Sequence, residues 1–137
     1  MEDNAKGPEN GGSDEPKKLS ADDILGTNDM KTRIVVVPEW NGSVIVRALS
    51  GLERDAFEAS LVSKGAKREL TTANIRARLC AIAIVDPSDP ALKKRAFTDE
   101  QITALGQKSA RALSRVYDVA AALSGVSNTD LDDLAGN

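Results

Sequence analysis

The residues in this sequence whose types could support chemistry are paired acids, one cysteine and several clusters of bases. The adjacent acids are Asp22/Asp23, Asp99/Glu100 and Asp132/Asp133. Two carboxylates that converge on one point can act as general acid and base or bind a divalent cation. Neighbouring residues of a helix point in different directions, however, and helix starts favour acids on electrostatic grounds. We therefore predict that these acids cap helices or face solvent, with no catalytic or metal-binding role.

Histidine and cysteine usage narrows the chemistry further. The sequence has no histidine, which excludes Ser-His and Cys-His mechanisms and removes the commonest transition-metal ligand. Cys80 is the single cysteine, so no intrachain disulfide can form. Its surroundings in LCAIAIV are typical of a small buried hydrophobe rather than a reactive thiol. No phosphate-binding GxxxxGKS/T motif occurs, and we predict no enzyme, no cofactor and no metal.

Charge is distributed unevenly along the chain, whose formal net charge is −3. Residues 1–30 carry a balance of −5 and residues 126–137 a balance of −3, whereas residues 31–125 carry +5. Acidic ends around a basic body are explained by solubility alone, or by a basic face that receives an acidic partner. Both interpretations stay open at this point.

The bases also raise the alternative of a nucleic-acid-binding regulator. The clusters AKRE, NIRAR and LKKR, together with a helical stripe of Lys108, Arg111 and Arg115, could line a phosphate track. Against this, the chain is acidic overall and its aromatic residues are two Phe, one Tyr and one Trp. So few aromatics leave no platform on which bases could stack, and we do not favour nucleic acid as the partner.

Length and composition indicate one globular domain with flexible ends. A hydrophobic fraction of 41% beside a charged fraction of 28% is typical of a soluble protein, and 137 residues suffice for one domain. Residues 1–30 are predicted to be a disordered acidic tail with a short helix capped by Ser20, residues 31–125 the domain, and residues 126–137 a flexible acidic tail. No apolar run approaches the roughly 20 residues of a membrane span, and the N-terminus lacks a secretory h-region. We therefore expect a cytosolic protein.

The stretch VVVPEWNGSVIVRALSGLERDAFE predicts a two-stranded β-hairpin that leads into a capped helix. Asn41-Gly42 is the turn signal, because a type I′ turn needs positive φ at both central residues. Both faces of the first strand are apolar, with Val35 and Val37 on one and Ile34 and Val36 on the other. Helices of the chain can cover one face, and a hairpin alone is marginal in water, so the second face is predicted to need another cover.

Capping signals and periodicity predict the helices that follow. Ser50 and Glu53 form a capping box, and the first helix is predicted to end at Gly65. Its predicted apolar side consists of Leu52, Ala56, Ala59 or Ser60, and Val62, with Phe57 and Leu61 beside them. The second is predicted to start near Thr72 and to be central, because residues 79–85 are apolar throughout. TDEQ at 98–101 is another capping box, and a two-faced helix runs from about residue 107 to Ser124, closed by Gly125. The predicted fold class is α+β, mostly α, with the hairpin on a bundle of about three to four helices.

Several segments, taken in order, resemble the tail assembly chaperones of long-tailed bacteriophages. They are VVVPEWNGSVIVRALSGLERDAFEASLV, then IRARLCAIAIVDPSDP, then AFTDEQITALGQKSARALSRVYDVAAALSGVS. The similarity covers about residues 31–128 and lies in the order and spacing of these segments rather than in a catalytic motif. The long polar N-terminal segment and the LKKRAF loop depart from the family pattern.

The resemblance implies a function in virion morphogenesis. Proteins of this family act in the host cytoplasm and are not expected in the mature virion. They bind the tape measure protein, keep its helical, apolar segments soluble and help to recruit the tail tube protein. In many such phages a frameshift also yields a longer product, which is a property of the nucleotide sequence and cannot be read here.

Partner-binding residues and self-association follow from the hairpin. Trp40, beside the turn, either folds over the hairpin and the first helix or anchors a partner. The residues that we predict to contact a partner are Trp40, Val44, Val46, Lys108, Arg111 and Arg115. Because the hairpin leaves open edges, we also predict a homo-oligomer. An adaptor or other interaction module retained in the virion is the alternative function, and the nucleic-acid-binding regulator is a more distant one.

Overall fold

A computed structural model describes residues 15–62 and 73–126 of the chain. Its fold is α+β, mostly α, with helices and a three-stranded antiparallel sheet, which confirms the predicted class. The predictions for disorder in residues 1–14, for the stop at Gly65, for the cap at Thr72 and for the acidic C-terminal tail beyond residue 126 lie outside the described residues. In chain order, the elements are α1 (Ala21–Leu25), β1 (Thr32–Val37), β2 (Gly42–Arg47), α2 (Gly51–Ser60), α3 (Ile75–Ala83), β3 (Ile84–Val85), α4 (Ile102–Leu105) and α5 (Ala110–Ser124).

The sheet has the strand order β1-β2-β3, so the predicted two-stranded hairpin is extended by a third strand. β1 and β2 pair from Thr32↔Arg47 to Val37↔Gly42, and β3 adds to β2 through Ile45↔Val85. The prediction placed β3 inside the second helix, but α3 ends at Ala83. Backbone hydrogen bonds hold the chain extended there, from Asp86 N–H to Lys94 O at 2.8 Å and from Ala96 N–H to Ile84 O at 2.9 Å. Ile84 and Val85 are β-branched, and Asp86 precedes a proline, so the local sequence also favours extended backbone here.

The hairpin turn differs from the predicted two-residue type I′ turn. Pro38–Trp40 form a 3₁₀ turn, and Asn41 alone is left-handed, with φ 56° and ψ 37°. Pro38 has no N–H to donate and fixes its own φ, so the ladder stops at Val37 and the loop spans residues 38–41. Asn41 is one of the residues that tolerate this conformation best.

The core lies between one face of the sheet and the helices. Val35 and Val37 are 7% and 0% exposed, whereas Ile34 and Val36 on the opposite face are 68% and 67% exposed. α5 packs across β1 and β2, and α3 contacts α2, α4 and α5. The buried residues of α3 are Ala77, Leu79, Cys80, Ala81 and Ala83. α3 is therefore the central helix, as its apolar run predicted, and its small side chains allow close packing of the neighbouring helices.

α2 starts as predicted but buries a different face. Ser50 Oγ accepts from Glu53 N–H at 3.1 Å, and Glu53 Oε1 accepts from Ser50 N–H at 2.9 Å, which confirms the capping box. Leu52, predicted to face inward, is 82% exposed, while Phe57 and Leu61 are 1% and 0% exposed. Phe57 and Leu61 are spaced by four residues, so they share a face, and burying this larger pair removes more apolar area from water.

Of the helices at the two ends of the described chain, α5 differs from prediction in detail. α1 forms with Ser20 as its cap, as predicted, and none of its residues is buried. α5 starts at Ala110 after its cap Ser109, so Lys108 precedes the helix. Gly125 ends α5 with φ 71°. Val126, which we assigned to the C-terminal tail, is buried in the core at 8% exposure.

Candidate interaction surface

The outer face of the sheet is the face turned away from α5. The strand register places Ile34 opposite Ile45 and Val36 opposite Ser43 on this face. Apolar side chains border a groove of about 390 Å³ beside it, formed chiefly by Ile34, Ile45, Val85, Pro87 and Phe97. From here on, the term outer face means Ile34, Val36 and Ile45 together with this groove. Apolar residues scattered singly on a surface are ordinary, but here they are contiguous with a concavity, which is typical of interaction sites.

β1 also has an unpaired edge. Its only strand partner among residues 15–62 and 73–126 is β2, and the strand order leaves β1 at the border of the sheet. The strand is six residues long and contains no proline within Thr32–Val37. A regular edge of this length exposes backbone donors and acceptors that another strand can bind.

A second groove, of about 420 Å³, lies near the tip of the hairpin. We call it the Trp40 groove; its lining residues are Trp40, Phe97, Gln101, Ala104, Leu105 and Lys108. Positions 101, 104, 105 and 108 have the spacing of one helix face. Trp40 is half-buried and packs on the core, and it also borders this groove. Its role as an anchor for a partner stays a prediction. Phe97 contributes to both grooves.

The predicted basic stripe does not present three equivalent cations. Arg115 is paired with Glu39 from the hairpin turn. That hydrogen bond, assisted by the backbone of Glu39 itself, holds the pKa of the Glu39 carboxyl below its ordinary value. Lys108 and Arg111 are exposed and form no salt bridge with any described residue. The stripe therefore offers two cations to a partner, and the third joins the hairpin to α5.

Bases of the NIRAR cluster are engaged within the fold. The guanidinium of Arg76 lies 5.9 Å from the centroid of the Tyr117 ring, a cation–π distance. Arg78 donates to Ser60 O at 2.9 Å and to Ala73 O. These contacts reduce the number of bases available to a phosphate track.

Two predicted partner-binding residues lie on the core side of the sheet. Val46 is fully buried. Val44 is half-buried and packs on the core, but it also lines the groove of the outer face. The pairs Val35↔Val44 and Arg33↔Val46 explain this, because directly opposite residues share a face. Ile45, which we did not select, is the β2 residue that lies on the outer face with Ile34. The alternation of the strands was the signal that would have identified it.

One acid of each described pair, Asp23 and Asp99, makes a structural contact. Asp23 accepts from Ser20 N–H at 3.0 Å, and Asp99 accepts from Arg95 at 3.0 Å. Asp89 accepts from the N–H groups of Ala91, Lys93 and Lys94 and so shapes the loop that follows β3. Within residues 15–62 and 73–126 no three His, Cys, Asp or Glu side chains are grouped as metal ligands would be.

Cys80 is buried in the centre of the core, as predicted. Its thiol lies 3.7 Å from Leu113 O, and burial raises its pKa to about 12. A thiol in this state is almost entirely protonated and is a poor nucleophile.

Comparisons with models of protein families, with curated proteins and with solved structures found no match to this chain. Among the described helices, none is both long and apolar enough to cross a lipid bilayer. The functional argument therefore depends on the outer face, the edge of β1 and the Trp40 groove.

Proposed function

We propose that this protein is a tail assembly chaperone of a long-tailed bacteriophage, a binding protein without enzymatic activity. In this role it binds apolar, helical segments of the tape measure protein, keeps them soluble and helps to recruit the tail tube protein. The observation that carries the proposal is the outer face, where Ile34 and Val36 are 68% and 67% exposed beside an apolar groove. The resemblance of residues 31–128 to that family supplies the identity of the partner.

The physics of the outer face suits transient holding. Covering an exposed aliphatic side chain contributes roughly 1.5–3 kcal/mol at most, and only a few such side chains are exposed here. Binding costs translational, rotational and side-chain freedom, so the net affinity for one segment is modest. A modest affinity lets a chaperone release its client when the tail assembles.

Self-association belongs to the same proposal. A second copy can pair with the free edge of β1, which leaves Ile34 and Val36 on the outer face available to the tape measure protein. Multi-angle light scattering at about 50 µM tests this. We expect a mass above that of the monomer, 14.5 kDa, and a strictly monomeric protein at that concentration would count against it.

The proposed site of action is the host cytoplasm during assembly. An adaptor with the same outer face would instead remain in the particle. Quantitative mass spectrometry of purified virions separates the two roles, because a chaperone is recovered in infected cells but not in virions. Stoichiometric recovery in virions would favour the adaptor.

Co-expression tests the proposal directly. The tape measure protein of the same phage is expressed alone and with this protein, and the soluble fraction is measured and then subjected to pull-down. We expect a higher soluble fraction and co-purification of the two proteins. A tape measure protein that stays equally insoluble in both cultures would contradict the proposed function.

A further inference from the structure

We propose that the Trp40 groove is a second binding surface, which takes an amphipathic helix that carries an acidic residue beside its apolar stripe. The inference rests on the proposed holding function, because it names a further surface and the chemistry of the segment that this surface would accept. It is separate from the outer face, which lies on the other side of Phe97.

The shape of the groove favours a helix. Its floor includes Leu105, which is 5% exposed, and its walls are Trp40 and Phe97 from two other parts of the chain. Ala104 is exposed and small, so a helix backbone can approach closely there. α4 ends at Leu105, and turn hydrogen bonds from Gln107 N–H to Ala104 O and from Lys108 N–H to Leu105 O continue the coiled backbone to Lys108, so this wall of the groove is roughly 10 Å long. An apolar stripe of two to three turns therefore matches the length of the groove.

The charges at the rim select an acidic partner. Lys108 lines one end of the groove, and Arg111 follows it one residue after the start of α5. Both are exposed, and neither forms a salt bridge with a described residue. At the other end Glu100 is exposed next to Gln101, and Asp99 is paired with Arg95. The cationic end thus favours an acidic residue, and the difference between the two ends gives the bound helix a preferred direction.

The ion pair between Glu39 and Arg115 lies close to the cationic end of the Trp40 groove. Arg115 is paired with Glu39, and the Glu39 carboxylate also attracts Arg111, so Lys108 is the cation that an incoming acid can meet without competing with Glu39. Contacts of this kind at the rim of an interface alter specificity and association rate more than they alter affinity. The apolar walls, with Trp40 as the largest side chain, would provide most of the binding energy.

A synthetic peptide tests the inference on the full chain. The probe is a helix of about 16 residues with leucines on one stripe and glutamates beside that stripe, and the matched control peptide has lysines in place of the glutamates. Trp40 is the only tryptophan, so its fluorescence reports on the groove. We expect the glutamate peptide to shift Trp40 emission and to bind more tightly than the lysine peptide.

Charge reversal in the protein provides the sharper comparison. Lys108→Glu should slow the association of the glutamate peptide and weaken its binding by about threefold, and it should strengthen binding of the lysine peptide. Ala104→Lys should block the groove, whereas Thr103→Lys adds the same charge at an exposed neighbour outside it and should leave affinity nearly unchanged. Circular dichroism confirms that each variant is folded.

Each alternative outcome overturns the inference. Equal affinity for both peptides, no change in Trp40 emission at saturation, or equal effects of Ala104→Lys and Thr103→Lys would exclude the groove as this kind of site. A folded wild-type protein that fails to bind the peptide, yet still solubilises the tape measure protein in co-expression, removes this inference and leaves the proposed function in place.

Discussion

Arg47 and Glu53 are joined by two parallel hydrogen bonds, from Nη1 to Oε1 at 3.0 Å and from Nη2 to Oε2 at 2.9 Å. Arg47 ends β2 and Glu53 lies in the first turn of α2, so the pair fixes how the helix leaves the sheet. Arg47 is 7% exposed, and its Nη1 also donates to Ala48 O at 3.0 Å. Glu53 completes the capping box with Ser50 as well. One carboxylate thus serves the helix start and a buried guanidinium together.

Replacing Glu53 by glutamine should destabilise the protein substantially. Glu53→Gln leaves the buried Arg47 charge without a counter-charge and turns an amide N–H₂ toward one of its donors. We expect a loss of about 3 kcal/mol in the free energy of unfolding, at the lower end for a buried pair because Glu53 is partly exposed. Urea denaturation followed by circular dichroism measures the change.

Asp99→Asn is the matched control for that substitution. Asp99 pairs with Arg95 at 3.0 Å, but its side chain is 76% exposed. Exposed pairs contribute from about 0 to 1 kcal/mol. Equal losses for Glu53→Gln and Asp99→Asn would mean that burial of Arg47 does not strengthen its pairing.

The Glu53 carboxylate should also make the free energy of unfolding depend on pH. Burial alone would raise the pKa of Glu53, but the hydrogen bonds from Arg47 and from Ser50 N–H leave that pKa below its ordinary value of 4.5. The unfolded chain therefore binds a proton at higher pH than the folded chain does, so this stabilisation is present above pH 4.5 and is lost as pH falls through the folded pKa.

Comparison of urea midpoints at pH 6 and pH 3 isolates this effect. Other lowered carboxyl groups, such as Asp86 and Asp89, contribute equally to the wild type and to Glu53→Gln. We predict a smaller loss of stability on acidification for the variant. An identical loss in both proteins would show that Glu53 has the same pKa folded and unfolded.

Gly106 should not tolerate alanine, for a reason of space. A Cβ at this position would lie 2.1 Å from Asn74 Oδ1, and Asn74 Nδ2 donates to Ile102 O at 3.2 Å. Asn74 is exposed, so its side chain can turn away, but it then loses that hydrogen bond. We expect Gly106→Ala to reduce the free energy of unfolding by about 0.5–1.5 kcal/mol, the net contribution of one hydrogen bond.

A double-mutant cycle tests the stated cause. Asn74 has a positive φ of 56°, which glycine adopts readily, so Asn74→Gly removes the clash without straining the backbone. In that background Gly106→Ala should cost much less. Gly51→Ala is the control, since a Cβ there meets no atom within 4 Å. A cost for Gly106→Ala that is unchanged by Asn74→Gly would contradict the explanation.

Cys80 should resist alkylation in the native protein. With its pKa raised to about 12 by burial, about one thiol in ten thousand is ionised at pH 8, and the sulfur is also inaccessible. Iodoacetamide labelling followed by intact mass measurement should show slow modification in buffer and fast modification in 6 M urea. Rapid labelling of the folded protein would mean that the region around α3 opens readily.

The hairpin shows how much of the sheet the sequence could predict. The alternation of Ile34 to Val37 identified both apolar faces correctly. The predicted turn was wrong, because the ladder already ends at Val37, before Pro38, and the loop spans residues 38–41 rather than Asn41-Gly42 alone. The observed register is displaced by four residues from that of a two-residue turn at Asn41-Gly42. A displacement by an even number leaves each side chain on the same face. The assignment of residues to the two faces of the hairpin was therefore correct although the turn was wrong.

Other features depended on contacts distant in sequence. β3 arises because the loop around Lys94 and Ala96 binds its backbone, and no local signal in LCAIAIV separates a strand from the end of a buried helix. The Trp40 groove joins the hairpin tip, Phe97 and residues 101–108, which periodicity cannot bring together. The ion pair of Arg115 with Glu39 also joins residues distant in sequence and could not be predicted. The caps at Ser20 and Ser50 depend on residues three positions apart, and both were predicted.

The most direct test of the proposed function is the effect of outer-face substitutions on tape measure protein solubility. The test protein carries Ile34→Ser and Val36→Ser. The control carries Leu52→Ser, which removes an even more exposed apolar side chain, 82% exposed on α2. The soluble fraction of co-expressed tape measure protein is compared with that obtained with the wild type. We predict that the folded double variant loses most of the solubilising effect while Leu52→Ser keeps it. Full solubilisation by the folded double variant would contradict a holding role for the outer face.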